Sequence, residues 1–307
     1  MSAAAIEGAP PAGLHRREWL EKLAGMGFAL PATLLLVTTS LAPLAVLLVL
    51  AFTDYDLGNL DFRFIGLANF SKAMADPAFR RSLWNTFAYV ALVLPLAVGL
   101  GLLVAILVHG RKRTRSFYEI VYFLPVTSTL IAMATVWTFL LHPRLGPVNA
   151  MLEAVGIGRK AFLSDPTLVL PTLAMIGVWH LVGFNMVLFL AGLTAIPRDL
   201  YEAAEVDGCA NPVDRFLTIT WPLLGPTTMF VIVTTSITAF KVFDTVAVMT
   251  HGGPMGTSEV LLYSIYLEAF QYFHTGYGAA LTAIFLVFIL VFSVIQTVVL
   301  ERRTHYG

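Results

Sequence analysis

The chain has 307 residues, of which 58% are hydrophobic and 12% charged, with a mean hydropathy of +0.80. That apolar fraction exceeds what the core of a soluble domain of this length can bury, so a soluble globular protein is excluded. Formal net charge is zero, so bulk charge points to no partner class and no nucleic acid is expected, and the single cysteine, Cys209, rules out an intrachain disulfide or a thiolate metal cluster.

Residues 1–15 are rich in Ala, Pro and Gly and are expected to be disordered. Arg16, Arg17 and Lys22 follow, and then comes the first of six long apolar runs. The runs 28–52, 87–108, 120–141, 216–240 and 278–300 lack Asp, Glu, Lys and Arg altogether, and 167–197 has His180 as its one titratable group. About 20 apolar residues span a bilayer, and in lipid such a run must close its own backbone hydrogen bonds as a helix. The chain therefore reads as an all-α membrane protein with six transmembrane helices. The first run is too long for a signal-peptide core and is expected to be retained as a span. Prolines 31, 43, 95, 125, 171 and 222 are compatible with kinked membrane helices. Gly99, Gly101, Gly183 and Gly192 predict close helix approach within a bundle.

The connection 109–117 carries Arg111, Lys112, Arg113 and Arg115, and the tail carries Arg302 and Arg303. With six spans both lie on the side of the N-terminus, so the excess of basic residues places both termini in the cytoplasm. The segments 54–83, 142–166 and 243–277 then face outward. In the last, "THGGP" reads as a turn followed by a short amphipathic helix at the outer surface.

One cytoplasmic connection, "YEAAEVDGCANPVDRFLTITWP" at 201–222, holds four acidic residues before Arg215. Pro197 ends the preceding run. Asp199 and Glu202 are spaced as a capping box, Gly208 is placed to stop a helix of about two turns, and Asn211 with Pro212 opens another. Pro222 is expected to kink the entry into the next span. Local chemistry leaves two readings open: a solvated loop capping two spans, or a rigid helix presented to a partner groove.

This connection resembles the cytoplasmic loop with an "EAA" motif found in membrane subunits of ABC importers. The chain is more narrowly similar to the binding-protein-dependent sugar permeases, such as those of the maltose and glycerol-phosphate systems. "FTDYDL", "FIGLANF", "LWNTFAYV", "FYEIVYFLPVTSTLIAMATVW", "GLTAIPRDLYEAAEVDG" and "FDTVAVMTHGGP" stand in that family's order across residues 28–300. Trp221 departs from the family, which usually has Leu before the proline. The resemblance implies a type I ABC importer permease fold with a cytoplasmic coupling helix. It divides the chain into a cytoplasmic tail (1–24), a first span with its outward loop (25–83), a five-helix core (84–300) containing the 197–222 loop, and a second tail (301–307). It also implies location in the bacterial plasma (inner) membrane.

In such a permease Glu202, Ala203, Ala204, Asp207 and Gly208 would join this subunit to a cytoplasmic ATPase. The sequence lacks a G-x-x-x-x-G-K-S/T phosphate loop. It is therefore not an enzyme by itself, holds no cofactor or metal, and leaves ATP and Mg to two partner ATPase subunits. A second homologous permease and an extracytoplasmic solute-binding protein are the other partners implied, with a sugar as cargo, a di- or oligosaccharide by preference. The family's substrate path corresponds here to Gly177, His180, Leu181 and Phe184, which share one helix face, and to Thr238, Ala239, Lys241, Val242 and Asp244. Trp84, Trp137 and Trp179 read as interface or packing residues. The alternative is an ion-coupled secondary transporter, but no run contains the midplane carboxylate such a mechanism uses.

Overall fold

The computed structural model describes residues 12–59, 61–111, 113–209 and 211–301. Residues 1–11, including most of the expected disordered tail, and Arg302 and Arg303 lie outside the described residues. Within them the chain is helical, and the one strand-like feature is an isolated bridge between Thr53 and Phe64.

Helix α1 (Ala12–Leu36) passes through a π-helical turn (Val37–Leu41) into α2 (Ala42–Leu50). It therefore begins inside the stretch expected to be disordered. Pro43 lacks the N–H that would continue the regular ladder, which accounts for the wide turn just before it. No residue from Ala24 to Leu50 is buried; the helix joins the bundle at Ala51, in a small cluster with Ala279, Ala280 and Ala283 on the last span.

A short α3 (Ala68–Ala75) leads to α4 (Pro77–His109), a 33-residue helix. Asp76 caps α4 by accepting a bond from Ala78 N at 2.8 Å, and Pro77 takes the first helical position, where its missing N–H costs nothing. The expected boundary at residue 83 thus falls inside α4. Helices α5 (Arg115–Thr127) and α6 (Leu130–Leu140) meet at 97°. After α7 (Pro147–Ala154) comes the most buried span, α8 (Val169–Ala195). The connection to the next span comprises α9 (Arg198–Val206), α10 (Pro212–Arg215), a π-helical turn (Phe216–Thr220) and α11 (Trp221–Leu223). It bends by 68° into α12 (Gly225–Phe240). A π-helical turn (Val246–Thr250), α13 (Leu261–Tyr266), a further π-helical turn (Leu267–Gln271) and α14 (Thr275–Glu301) complete the fold.

Among the described residues four helices are long and apolar enough to cross a membrane, and the number is six when each of the two bent pairs is one span. Two expected spans are therefore broken helices. In 120–141 Pro125 removes a ladder donor, and Ser128 and Thr129 turn extended. In 216–240 the bend falls at Leu224, between Pro222 and Pro226, rather than at Pro222 alone.

Burial concentrates where α4 crosses α8. Tyr89, Val93, Ala97, Gly101 and Ala105, at every fourth position of α4, form a buried stripe that packs against α8. Gly177 of α8 leaves room for the Tyr89 hydroxyl, and Gly101 for the Cβ of Asn185. Gly183 and Gly192 are also at close contacts, whereas Gly99 faces open space and serves no packing role within the subunit. Phe87, Phe240, Phe288 and Phe292 interlock with centroid distances of 4.9–6.0 Å, tying α4 and α12 to α14.

Three buried asparagines tie down segments outside the spans. Asn69 Nδ2 donates to the Ala51 and Thr53 carbonyls, at 3.0 and 2.8 Å. Asn85 Nδ2 donates to those of Gly256 and Glu259, both at 2.9 Å. Asn149 bonds Lys160 in both directions and reaches the Leu141 and His142 carbonyls. The expected surface helix after "THGGP" exists as α13, but Leu261, Tyr263, Ser264 and Ile265 are buried. It packs into the bundle because Thr86 on α4 accepts a bond from Leu261 N at 2.9 Å and holds its first turn there.

Candidate functional site

The connection between α8 and α12 carries the first set of predicted residues. Helix α9 opens at Pro197 with no side-chain cap. Asp199 is its second residue and Glu202 its fifth, so the expected capping box does not form; Pro197 sets the start, and Asp199 complements the positive end of the helix from the first turn. The other end matches expectation. Gly208 sits at φ +87°, Gly208 N donates to the Glu205 carbonyl at 3.2 Å and Cys209 N to that of Ala204 at 2.9 Å. These paired bonds form a glycine-dependent helix stop. Asn211 Oδ1 then accepts from Val213 N at 3.0 Å and caps α10.

Glu202, Ala203, Asp207 and Gly208 are exposed and Ala204 is half-buried. Val206 is 87% exposed, and among the described residues α9 packs extensively on no other helix. An acidic surface with small residues and two exposed apolar side chains, Leu200 and Val206, thus projects from the bundle. On its inner side the Tyr201 hydroxyl shares a hydrogen bond with Thr220 Oγ1 at 2.9 Å. Tyr201 also lines a cavity of about 310 Å³ with Ile106, His109, Leu193, Phe216 and Thr220. Trp221 is exposed and stacks obliquely on Phe216.

The second set divides by environment. Gly177, Leu181, Ala239 and Val242 are buried, and the last three belong to the main apolar core. Phe184, Thr238 and Lys241 are exposed, while His180 and Asp244 are half-buried. His180 Nδ1 is buried without a partner among the described residues. The shared face of α8 is therefore split: Gly177 turns to α4, whereas Phe184 begins an exposed stripe continued by Val187 and Ala191. Those two residues, Leu190, Thr194 and Ala195 form one wall of an open groove of about 770 Å³, faced by Arg115, Glu119, Ile120 and Phe123 of α5. Arg115 and Glu119 pair across one turn at 2.7 Å at this groove. Trp137 and Trp179 meet edge to face at 5.5 Å as packing residues, and Trp84 is 72% exposed.

Two neutral amides, absent from the sequence-predicted set, lie inside the bundle. Thr235 Oγ1 on α12 donates to Asn185 Oδ1 on α8 at 3.0 Å, and Gln296 Nε2 on α14 donates to Ser236 Oγ at 2.9 Å. A second polar atom of each amide, Asn185 Nδ2 and Gln296 Oε1, is buried without a partner among the described residues. Asn and Gln in long apolar runs were the available signal. Among the described residues no cluster of His, Cys, Asp and Glu fits a metal ion.

Comparison with known proteins places this geometry. The family described as "Binding-protein-dependent transport system inner membrane component" matches residues 97–305. The chain is 34% identical over 255 residues to the sn-glycerol-3-phosphate transport system permease protein UgpA of Agrobacterium fabrum, over 82% of this chain and 86% of that one. It is 35% identical over 293 residues to the probable ABC transporter permease protein YesP of Bacillus subtilis, over 93% of each. A chain from the crystal structure of a bacterial ABC transporter involved in the import of the acidic polysaccharide alginate superposes with a TM-score of 0.82 at 24% identity. The match spans 94% of this chain and 98% of that one, and extends the likeness to the fold of an ABC importer permease. A bundle of broken and continuous spans with a projecting two-turn helix, matched over most of its length by these proteins, belongs to the family of binding-protein-dependent transport system inner membrane components.

Proposed function

We propose that this chain is the permease subunit of an ATP-driven importer in which α9 seats in a cleft of a cytoplasmic ATPase. The exposed, glycine-stopped α9, held away from the bundle, is the observation that carries this reading. ATP and Mg reside in the partner ATPases, and closure of those subunits drives α9 as a lever on the bundle. A second homologous permease completes the translocation path, both termini lie in the cytoplasm, and the complex sits in the bacterial plasma membrane. Cargo arrives from a solute-binding protein at the outer segments 54–83, 142–166 and 243–277. Its class is a di- or oligosaccharide, taken past His180, Phe184, Thr238, Lys241 and Asp244 with Gly177, Leu181, Ala239 and Val242 supporting that wall. The relatives named for glycerol phosphate transport and the fold shared with the alginate transporter support a carbohydrate-type cargo. Lys241 is the one Lys or Arg in the set, and this scarcity of cations favours a neutral sugar over a phosphorylated one.

The test is reconstitution with the partner subunits in proteoliposomes. Gly208→Trp and Glu202→Lys are expected to abolish ATP hydrolysis stimulated by the loaded binding protein while the permease remains folded. Unchanged stimulation in both variants overturns the assignment of α9.

A further inference from the structure

Helix α9 needs a stiff connection to the bundle if a force on it is to move a span. Its covalent ends supply little stiffness: Pro197 leaves the α8 ladder, and Gly208 turns the chain through a left-handed residue. Among the described residues no other helix packs extensively along it, and a cavity lies beneath its inner side. Among the described residues one side-chain hydrogen bond joins α9 to another element, between the Tyr201 hydroxyl and Thr220 Oγ1 at 2.9 Å. Thr220 is buried and lies in the π-helical turn directly before α11. From there the chain runs through the 68° bend at Leu224 into α12, which carries Thr235 and Ser236 into the buried polar contacts with α8 and α14. The half-buried Tyr201 ring packs, as Ile219 does, against the apolar cluster that contains Met186, Phe189 and Leu193. A wide helical turn inserted beside such a contact marks a point where a helix can change register.

We infer that Tyr201 is a positioning residue: its bond to Thr220 is the strut through which displacement of α9 reaches the arm that pivots at Leu224 and moves α12. This rests on the proposed coupling of α9 to an ATPase and adds the route inside the subunit. The strut requires a hydroxyl on each side and is indifferent to the methyl group of Thr220.

The full complex, with its ATPases, sister permease and loaded binding protein, is tested in proteoliposomes for substrate transported per ATP hydrolysed. Tyr201→Phe and Thr220→Val are each expected to lower that ratio roughly fivefold, the factor corresponding to one net hydrogen bond. Thr220→Ser keeps the wild-type ratio, and the double variant Tyr201→Phe/Thr220→Val is no worse than either single one. A wild-type ratio in Tyr201→Phe, or losses that multiply in the double variant, overturns the strut. So does a loss in Thr220→Ser equal to that in Thr220→Val. Failure of the coupling reading itself is distinguishable, because Gly208→Trp would then also retain the wild-type ratio.

Discussion

The Tyr122 carbonyl occupies the space that a side chain on Gly183 would require, so α5 and α8 meet with backbone against backbone. The contact sits a few residues before the 97° break between α5 and α6, and fixes the broken span against the most buried one. Gly183→Val inserts three carbon atoms, the first of them directly against the Tyr122 carbonyl, and a backbone cannot rotate away. Overpacking of this kind costs about 1–3 kcal/mol, and a fall in melting temperature of the purified protein in detergent is expected. Gly99→Val, at a position facing open space, should leave that temperature unchanged.

At Gly208 the constraint is conformational, since nothing lies within 4 Å of the missing Cβ but φ is +87°. Gly208→Ala is expected to loosen the end of α9 by about 1 kcal/mol, with Gly208→Asn milder because asparagine tolerates left-handed backbone. Stimulated ATP hydrolysis by the reconstituted complex should rank Gly, Asn, Ala, Val in descending order. Asn falling below the smaller Ala would identify crowding instead.

Asn85 holds the 251–259 segment by two bonds to its carbonyls, with left-handed His251 and Met255 bracketing the turn. Asn85→Ala leaves both acceptors without that donor, a penalty of about 1–3 kcal/mol. Amide hydrogen exchange across 251–259 should then accelerate by about tenfold or more. Exchange in α8 serves as the internal reference and should not change.

Between α8 and α12, removing Thr235's hydroxyl with Thr235→Val deprives Asn185 of its donor. Intramembrane hydrogen bonds average about 0.6 kcal/mol and reach about 1.7. The single variant is expected to lose stability within that range, and Asn185→Leu combined with Thr235→Val should lose less than the sum of the two single changes. Additive losses in a denaturation cycle would show that the pair does not interact.

The sequence made the spans legible because each apolar run is long enough to read without knowing its neighbours. The stop at Gly208 and the cap at Asn211 were legible for the same reason: their partners lie within a few residues. The Asp199–Glu202 capping box failed although its spacing was right, since Pro197 took the helix start two residues earlier. Periodicity placed Gly177, His180, Leu181 and Phe184 on one face of α8, yet α8 is apolar all round, so nothing local said which part of that face would meet α4. The role of Tyr201 is not legible in the sequence because its partner is 19 residues away across a turn that depends on Gly208. The break at Ser128–Thr129 was hidden by composition: both residues are small and uncharged, and hydropathy ignores backbone direction.

The three segments secured by Asn69, Asn85 and Asn149 share a property that ion pairs would not give them. A carboxamide neither gains nor loses a proton between about pH 4 and pH 10, and its bonds to carbonyls are not weakened by dissolved salt as exposed charge pairs are. These asparagine tethers persist when the surrounding medium turns acidic, alkaline or saline, unlike the Arg159–Glu153 pair in the segment that Asn149 holds. Whatever changes occur in the bathing solution, these anchor points give the bundle the same frame against which its broken helices can move.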